Sequence, residues 1–268
     1  MRVRFWGVRG SVPWATPGSI GHGCNTPCIE IADDAQREIL VLDAGSGIVG
    51  LGESLGTDPR AVPILLTHYH WDHLQGLPFF SAIYQLGWAP TIWAPSLQTV
   101  DPAWVETIFQ SPFFPVPYEH LPARPAVKLV KTGSMRIRGF EIDAIPLNHP
   151  GGSLAYRING DKGALVYATD HEFGNPVFDG PLAEFSMGAR ALILDAHFTP
   201  EELPSHKGWG HSDWRTCVEF GTKVRADRVW LFHHKPGRTD VELMEIESAA
   251  KKIHPNAEAA GEGDTFEF

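Results

Sequence analysis

The sequence predicts an α/β fold in one domain, residues 1–268. Short apolar, often β-branched runs recur along the chain, closed off by glycine, proline and asparagine, as in the strands of a buried sheet. Two longer stretches, Trp214 to Val224 and Asp240 to Ile253, carry a helical pattern instead. Histidines and aspartates repeatedly stand just past the apolar runs, where a sheet can bring loop residues to one cleft. A chain of 268 residues, 43% hydrophobic and 20% charged, can bury a core of this kind.

Arg2 to Trp6 alternates as a half-buried strand should, and Gly7 to Pro13 turns away from it. The glycine-rich loop from Pro17 to Gly23 has no Walker pattern, so it reads as turn formation, and His22 within it as a surface histidine. Asn25 to Ile31 resumes a strand. Cys24, Cys28 and Cys217 are too few, and odd in number, for a disulfide framework or a cysteine-zinc site. Ile39 to Leu42 is a third strand, ended by Asp43-Ala44-Gly45-Ser46-Gly47. Asp43 is assigned to bonding loop amides rather than a metal. Ile48 to Leu55 fits a short helix.

Val62 to Leu66 is a buried strand, and Thr67-His68-Tyr69-His70-Trp71-Asp72-His73 follows it directly. This is H-x-H-x-D-H, four ligand-type residues within six positions. Imidazole and carboxylate together suit zinc, manganese or iron, and so dense a string can serve two ions. A purely structural zinc site would favour cysteine. Gly76 and Pro78 leave room for only a short helix. Residues 78–125 then change character and become rich in proline and aromatics, among them Phe79, Trp88, Phe113 and Phe114. One strand (Thr91 to Trp93) and one helix (about Pro102 to Phe109) fit inside. The stretch reads either as core packing with a rigid loop, or as an aromatic wall over the site or a subunit interface. His120 is not assigned to a metal.

Strands resume at Ala126 to Val130, Ser134 to Ile137 and Phe140 to Ile145, with His149 just beyond. Leu154 to Ile158 and Ala164 to Ala168 form a pair joined at Asn159-Gly160-Asp161, and the second leads to Thr169-Asp170-His171-Glu172. Ala191 to Leu194 runs into Asp195-Ala196-His197. Gly208-Trp209-Gly210-His211-Ser212-Asp213 precedes the helix from Trp214, with Ser212 or Asp213 as its N-cap. Arg228 to Phe232 leads to His233-His234. The last helix places Leu243, Ile246, Ala250 and Ile253 on one face, and Thr265 to Phe268 fits a short terminal strand. The residues assign no role to Asp195, His197 or Lys207.

His68, His70, Asp72, His73, His149, Asp170 and His233, in that order past successive strands, resemble the signature of the metallo-β-lactamase-fold hydrolases. The resemblance runs from Phe5 to about Pro236. It implies a four-layer αββα sandwich with two sheets packed face to face. It also implies two divalent ions, one on His68, His70 and His149 and the other on Asp72, His73 and His233, with Asp170 and a hydroxide bridging them. His233 rather than His234 matches the family's strand-then-histidine pattern. The N-terminal glycine-rich loop, the Asp43-Ala44-Gly45 turn and Gly210-His211-Ser212 are similar to the phosphodiesterase and ribonuclease Z-like branch. That branch implies a catalytic trio of Asp72, Asp170 and His211, the last as substrate clamp or general acid.

The expected function is hydrolysis of a small phosphodiester, a cyclic nucleotide among the options. Zinc is the expected metal, with manganese and iron also suited to these donors. Cleavage of precursor tRNA, or of a lactam, lactone or thioester, is the alternative on the same site. The net charge of −10, with no Lys/Arg cluster, argues against a long nucleic acid partner and suits a small anion at a metal-charged site. With no signal-like or membrane-length apolar run, a cytoplasmic protein is expected. Exposed-looking aromatics leave a homodimer as the expected assembly.

Overall fold

The structure, a computed structural model, describes residues 1–35, 37–97 and 104–268. Its first sheet takes β1 (Arg2–Gly7), β2 (Cys28–Ala32), β3 (Ile39–Leu42), β4 (Ala61–Leu65), β5 (Ala89–Pro95) and β6 (Ala126–Val130). The second takes β7 (Gly133–Ile137), β8 (Phe140–Leu147), β9 (Ser153–Gly160), β10 (Gly163–Ala168), β11 (Ala191–Asp195), β12 (Val229–Phe232) and β13 (Ala257–Ala259). The chain then returns through β14 (Thr265–Glu267) to the far edge of the first sheet, beside β1. The sheets run β14-β1-β2-β3-β4-β5-β6 and β13-β12-β11-β10-β9-β8-β7. In each, the pairs on one side are antiparallel. Those from β3 to β6, and from β10 to β13, are parallel.

Side-chain alternation sorts these strands into layers. Val3 and Phe5 of β1, with Ile29, Leu40 and Leu65, face Phe140, Tyr156, Tyr167, Ile193 and Phe232 across the gap between the sheets. The ring centroids of Phe5 and Trp230 lie 5.0 Å apart in that gap. On the outer face of the first sheet, Val41, Ile64 and Ile92 pack with Ile48 and Leu51 of α1 (Ile48–Ser54). The helix α2 (Trp104–Ile108) adds Val105 to the same cluster. The second sheet's outer face, with Leu192, Leu194 and Leu231, meets Leu182 of α3 (Pro176–Ser186), Cys217 and Val218 of α4 (Trp214–Lys223) and Ala250 of α5 (Asp240–Ala250). This is the αββα sandwich. Each fully buried side chain of this size contributes about 1.5–3 kcal/mol, so the three clusters hold the layers together.

Asp213 caps α4 by accepting from the amides of Arg215 and Thr216, and Thr239 with Glu242 forms a capping box on α5. Residues 78–125 are not an excursion from the sheet. They contribute β5, which lies in register between β4 and β6 and is longer than Thr91 to Trp93. The helix expected from about Pro102 is seen as α2, and its expected start lies outside the described residues. In place of one short helix after His73 there are two short 3₁₀ turns, Leu77–Phe79 and Ser81–Tyr84, and a further one, Trp71–His73, lies within the motif. Among the described residues no helix is long and apolar enough to cross a membrane.

The loops after β3, β4, β8, β10, β11 and β12 carry the residues of interest. The two sheets are tied at that edge by the Tyr156 hydroxyl donating to Leu66 O (2.6 Å) and by Leu154 N donating to Thr67 O (3.0 Å). Three residues there, Asp43, Asp170 and His233, adopt left-handed backbone with φ of 59, 58 and 59°. Each follows a strand directly or by one residue, and the sharp turn points its side chain into the cleft. Such backbone costs a non-glycine residue about 1–3 kcal/mol and persists only where the surroundings fix it.

Candidate metal centre

Two groups of potential ligand atoms hold the residues named from the sequence, and a third, Asp195, His197, His211 and His233, adjoins them. His68, His70, His149 and Asp170 form one, Asp72, His73 and His233 the other, and within each the atoms lie inside 4.8 Å of one another. Asp170 stands between them. Its Oδ1 is 3.9 Å from His68 Nε2 and 3.7 Å from His149 Nε2. Its Oδ2 is 3.3 Å from His73 Nε2 and 3.4 Å from His233 Nε2. Asp72 Oδ2 lies 3.1 Å from His233 Nε2. All seven residues named from the sequence therefore come together, and His211 stands beside them.

The donor chemistry fits cations. His149 donates Nδ1–H to Gly210 O (2.9 Å), so its Nε2 is a bare lone pair, and it faces His70 Nδ1 at 3.0 Å. His73 donates Nδ1–H to Asp43 (2.8 Å), so its Nε2 is the nitrogen left for a proton or a cation, 3.3 Å from His233 Nε2. His68 Nε2 is buried without a hydrogen-bond partner among the described residues. Lone pairs turned toward one another repel unless a cation or proton lies among them, and outward N–H groups anchored on oxygen are the usual support of metal-ligating histidines. Burial, then neighbouring rings, hold His68 well below the ordinary histidine range. Burial opposes charge on His73 too, but Asp72, Asp43 and Asp170 outweigh it and raise its pKa. Burial likewise opposes charge on Asp170, yet His233, His73 and His68 hold it well below the usual carboxylate range. The site is thus set with ionised carboxylates, and a divalent ion would displace the proton from His73.

The surrounding shell fixes these rings. Asp43 accepts from Thr67 N (2.8 Å) and the Tyr167 hydroxyl (2.8 Å) besides His73, so its structural role includes a loop amide and a candidate ligand together. Ser11 N donates to Asp72 Oδ2 at 2.7 Å, which gives the first glycine-rich turn its place at the site. His234 points elsewhere and bonds Ala260 O (2.9 Å). His22 pairs with Asp240 at 3.0 Å, at the start of α5. His120 lies in an exposed turn, and Lys207 is exposed.

Three contributors have no reading in the sequence. Asp195, at the end of β11, holds His211 Nδ1 at 2.6 Å and accepts from His197 N at 3.0 Å. Burial disfavours charge on His211, but Asp195 and then Asp170 outweigh it and lift its pKa to about 9. His197 stacks on His211, with ring centroids 4.5 Å apart, and bonds His233 O through Nδ1. Glu172 accepts from Gly208 N and Gly210 N, 2.8 to 2.9 Å, and so folds the loop that presents His211. Gly210 (φ +86°) has to be glycine, since a Cβ there would fall 2.2 Å from His149 Nδ1. Asp195 stands just past a strand like the other aspartates, and that was the only signal available for it.

Residues 38–234 match the family described as "Beta-lactamase superfamily domain", well over half the chain. The protein belongs to the β-lactamase superfamily. No curated protein matches this superfamily member in sequence. Among solved structures it is similar to the metallo-β-lactamase fold protein YhfI from Bacillus subtilis, with TM-score 0.75 and 16% identity over 99% of both chains. It is similar to a diphosphatase from the PhnP family, with TM-score 0.72 and 19% identity over 100% of this chain and 98% of that one. It is also similar to the short form of human tRNase Z, with TM-score 0.66 and 18% identity over 100% and 99% of the two chains. At these identities the likeness is one of fold. Family and ligand clusters together make this chain a metal-dependent hydrolase of the superfamily.

Proposed function

We propose that the protein is a dinuclear metal-dependent phosphodiesterase acting on small phosphodiesters, with cyclic nucleotides among its candidate substrates. The observation that carries this reading is Asp170, whose two oxygens each face one cluster. The diphosphatase and the tRNase Z of the same fold support the choice of phosphoryl chemistry. His68, His70 and His149 would hold one divalent ion, Asp72, His73 and His233 the other, and Asp170 would serve both. Nitrogen-rich donors with carboxylates suit zinc, and manganese or iron can replace it.

Bound there, two such ions supply Lewis acidity toward the phosphoryl oxygens and a water made nucleophilic near neutral pH. The chain's own residues do the rest. Asp72, held by the Ser11 amide, keeps its carboxylate aimed at His73 and His233. His211 keeps Nδ1 on Asp195 and so offers Nε2–H to the leaving oxygen, the role of a general acid. A small anionic substrate fits the chain's overall acidity, since the attraction is local to the site.

The test is hydrolysis of bis-p-nitrophenyl phosphate, alongside a lactam, a lactone and a thioester. Turnover of the diester that chelation abolishes and zinc or manganese restores is the expected result. A lactam, lactone or thioester turned over faster than any diester would overturn the assignment.

A further inference from the structure

A groove of about 560 Å³ opens beside the metal-binding loop. It is walled by Trp71, Phe79, Phe113 and Phe114, together with Gln75 and Thr107. Its aromatic side chains are unusually open to water: Phe113 is 86% exposed, Phe79 60% and Trp71 59%. They come from two separate stretches of chain. Trp71 and Phe79 lie in successive turns after β4, and Phe113 and Phe114 follow α2. Phe79 meets Phe114 edge to face, centroids 5.7 Å apart, so the two stretches are packed on each other. Much of residues 78–125 is ordinary core, with Phe80, Ile83, Val105 and Phe109 fully buried. The exposed rings at the groove are therefore the part of that stretch which packing does not explain.

The groove borders the metal-binding loop, which supplies its wall residue Trp71. Trp71 stands between the candidate ligands His70 and Asp72, and consecutive Cα atoms are only about 3.8 Å apart. An ester whose phosphoryl group sits between the clusters would extend its organic arm across Trp71. Four of the wall residues are aromatic, with Pro78 and Ile108 beside them, and flat rings stack on aromatic side chains with little dependence on their identity. Gln75, whose amide nitrogen is held on Thr26 Oγ1 at 2.9 Å, brings a carboxamide oxygen able to accept from an exocyclic amine.

We propose that this groove receives a planar, hydrogen-bonding aromatic ring of the nucleobase class, carried by the ester that the metal centre cleaves. The inference rests on the phosphodiester reading for its substrate but not for its ring. Calorimetric titration of the metal-loaded protein with AMP, ribose 5-phosphate and octyl phosphate tests it, because the three share a phosphate head and differ in the arm. Adenosine against ribose repeats the comparison without phosphate.

The expected result is that AMP binds at least about 10-fold tighter than ribose 5-phosphate, a gain typical of base stacking on an aromatic side chain. Phe113→Ala and Phe79→Ala, both at exposed positions, should each remove most of that gain. Equal binding of AMP and ribose 5-phosphate would overturn the proposal. So would octyl phosphate binding tighter than AMP and losing affinity in the same variants, which would mark the groove as a site for an acyl or alkyl chain. Preference for adenosine over ribose without any diester cleavage would support the groove and reject the phosphodiesterase. Diester cleavage with no preference for the base would do the reverse.

Discussion

Asp195→Asn isolates what the carboxylate does for His211. Asparagine keeps the shape of a side chain that is 1% exposed, and its oxygen can still accept from His197 N. What it removes is the charge 2.6 Å from His211 Nδ1. With Asp195 present, the pKa of His211 stands at about 9 despite burial. Without it the ring should fall to the ordinary value of about 6.5 or lower. At pH 8 a group of pKa 9 is about 90% protonated and one of pKa 6.5 about 3%, so the acid form drops roughly 30-fold from titration alone. Cations in the two clusters would lower both values together, so the predicted quantity is the difference between enzyme and variant. The assay is the pH profile of kcat/KM on two esters, one with a p-nitrophenol leaving group and one with an alkyl alcohol. The alkyl ester needs the proton more, so its rate should fall about 30-fold or more at pH 8, with the basic limb moved to lower pH. The p-nitrophenyl ester should lose much less. An unmoved basic limb, or equal losses on both esters, would refute the role given to this pair.

Asp43→Asn should weaken metal retention by about 10–100-fold, the usual effect of losing a partner behind a ligand, and lower stability by about 1–3 kcal/mol through the buried bonds it unbalances. Competition with a chelator and thermal melting would read the two. Gly210→Ala forces a Cβ against His149, and elemental analysis should find about one ion lost per chain in a folded protein. Glu172→Gln leaves one of the two loop amides without its carboxylate partner. Turnover should fall about 10-fold, the scale of one charge-assisted bond, and full activity would show that the loop needs no such anchor.

The sequence made the strand ends legible because each is local: an apolar run, then a histidine or aspartate. H-x-H-x-D-H, His149, Asp170 and His233 were found in that way. Asp195 and Glu172 are not legible in that way, because what they do depends on His211, Gly208 and Gly210, 16, 36 and 38 residues distant. The sequence does not predict α3, because Gly180 and Pro181 interrupt its pattern. Asn175, which caps it through the Val177 amide, and Pro176 in its first turn were the local signal. The strand β13 is three residues, Ala-Glu-Ala, of low strand propensity, and exists through its parallel pairing with β12. The groove beside Trp71 needed the packing of Phe79 on Phe114 to be seen, which no spacing in the sequence conveys.

The dinuclear site stands or falls with Asp170, whose two carboxylate oxygens would serve both ions. Metal content per chain, measured by elemental mass spectrometry on the protein and on Asp170→Ala after equal exposure to zinc, tests it most directly. The prediction is about two ions in the protein and fewer in the variant, with diester hydrolysis lost in step. Two ions retained by a fully active Asp170→Ala, or no metal bound by the protein itself, would contradict it.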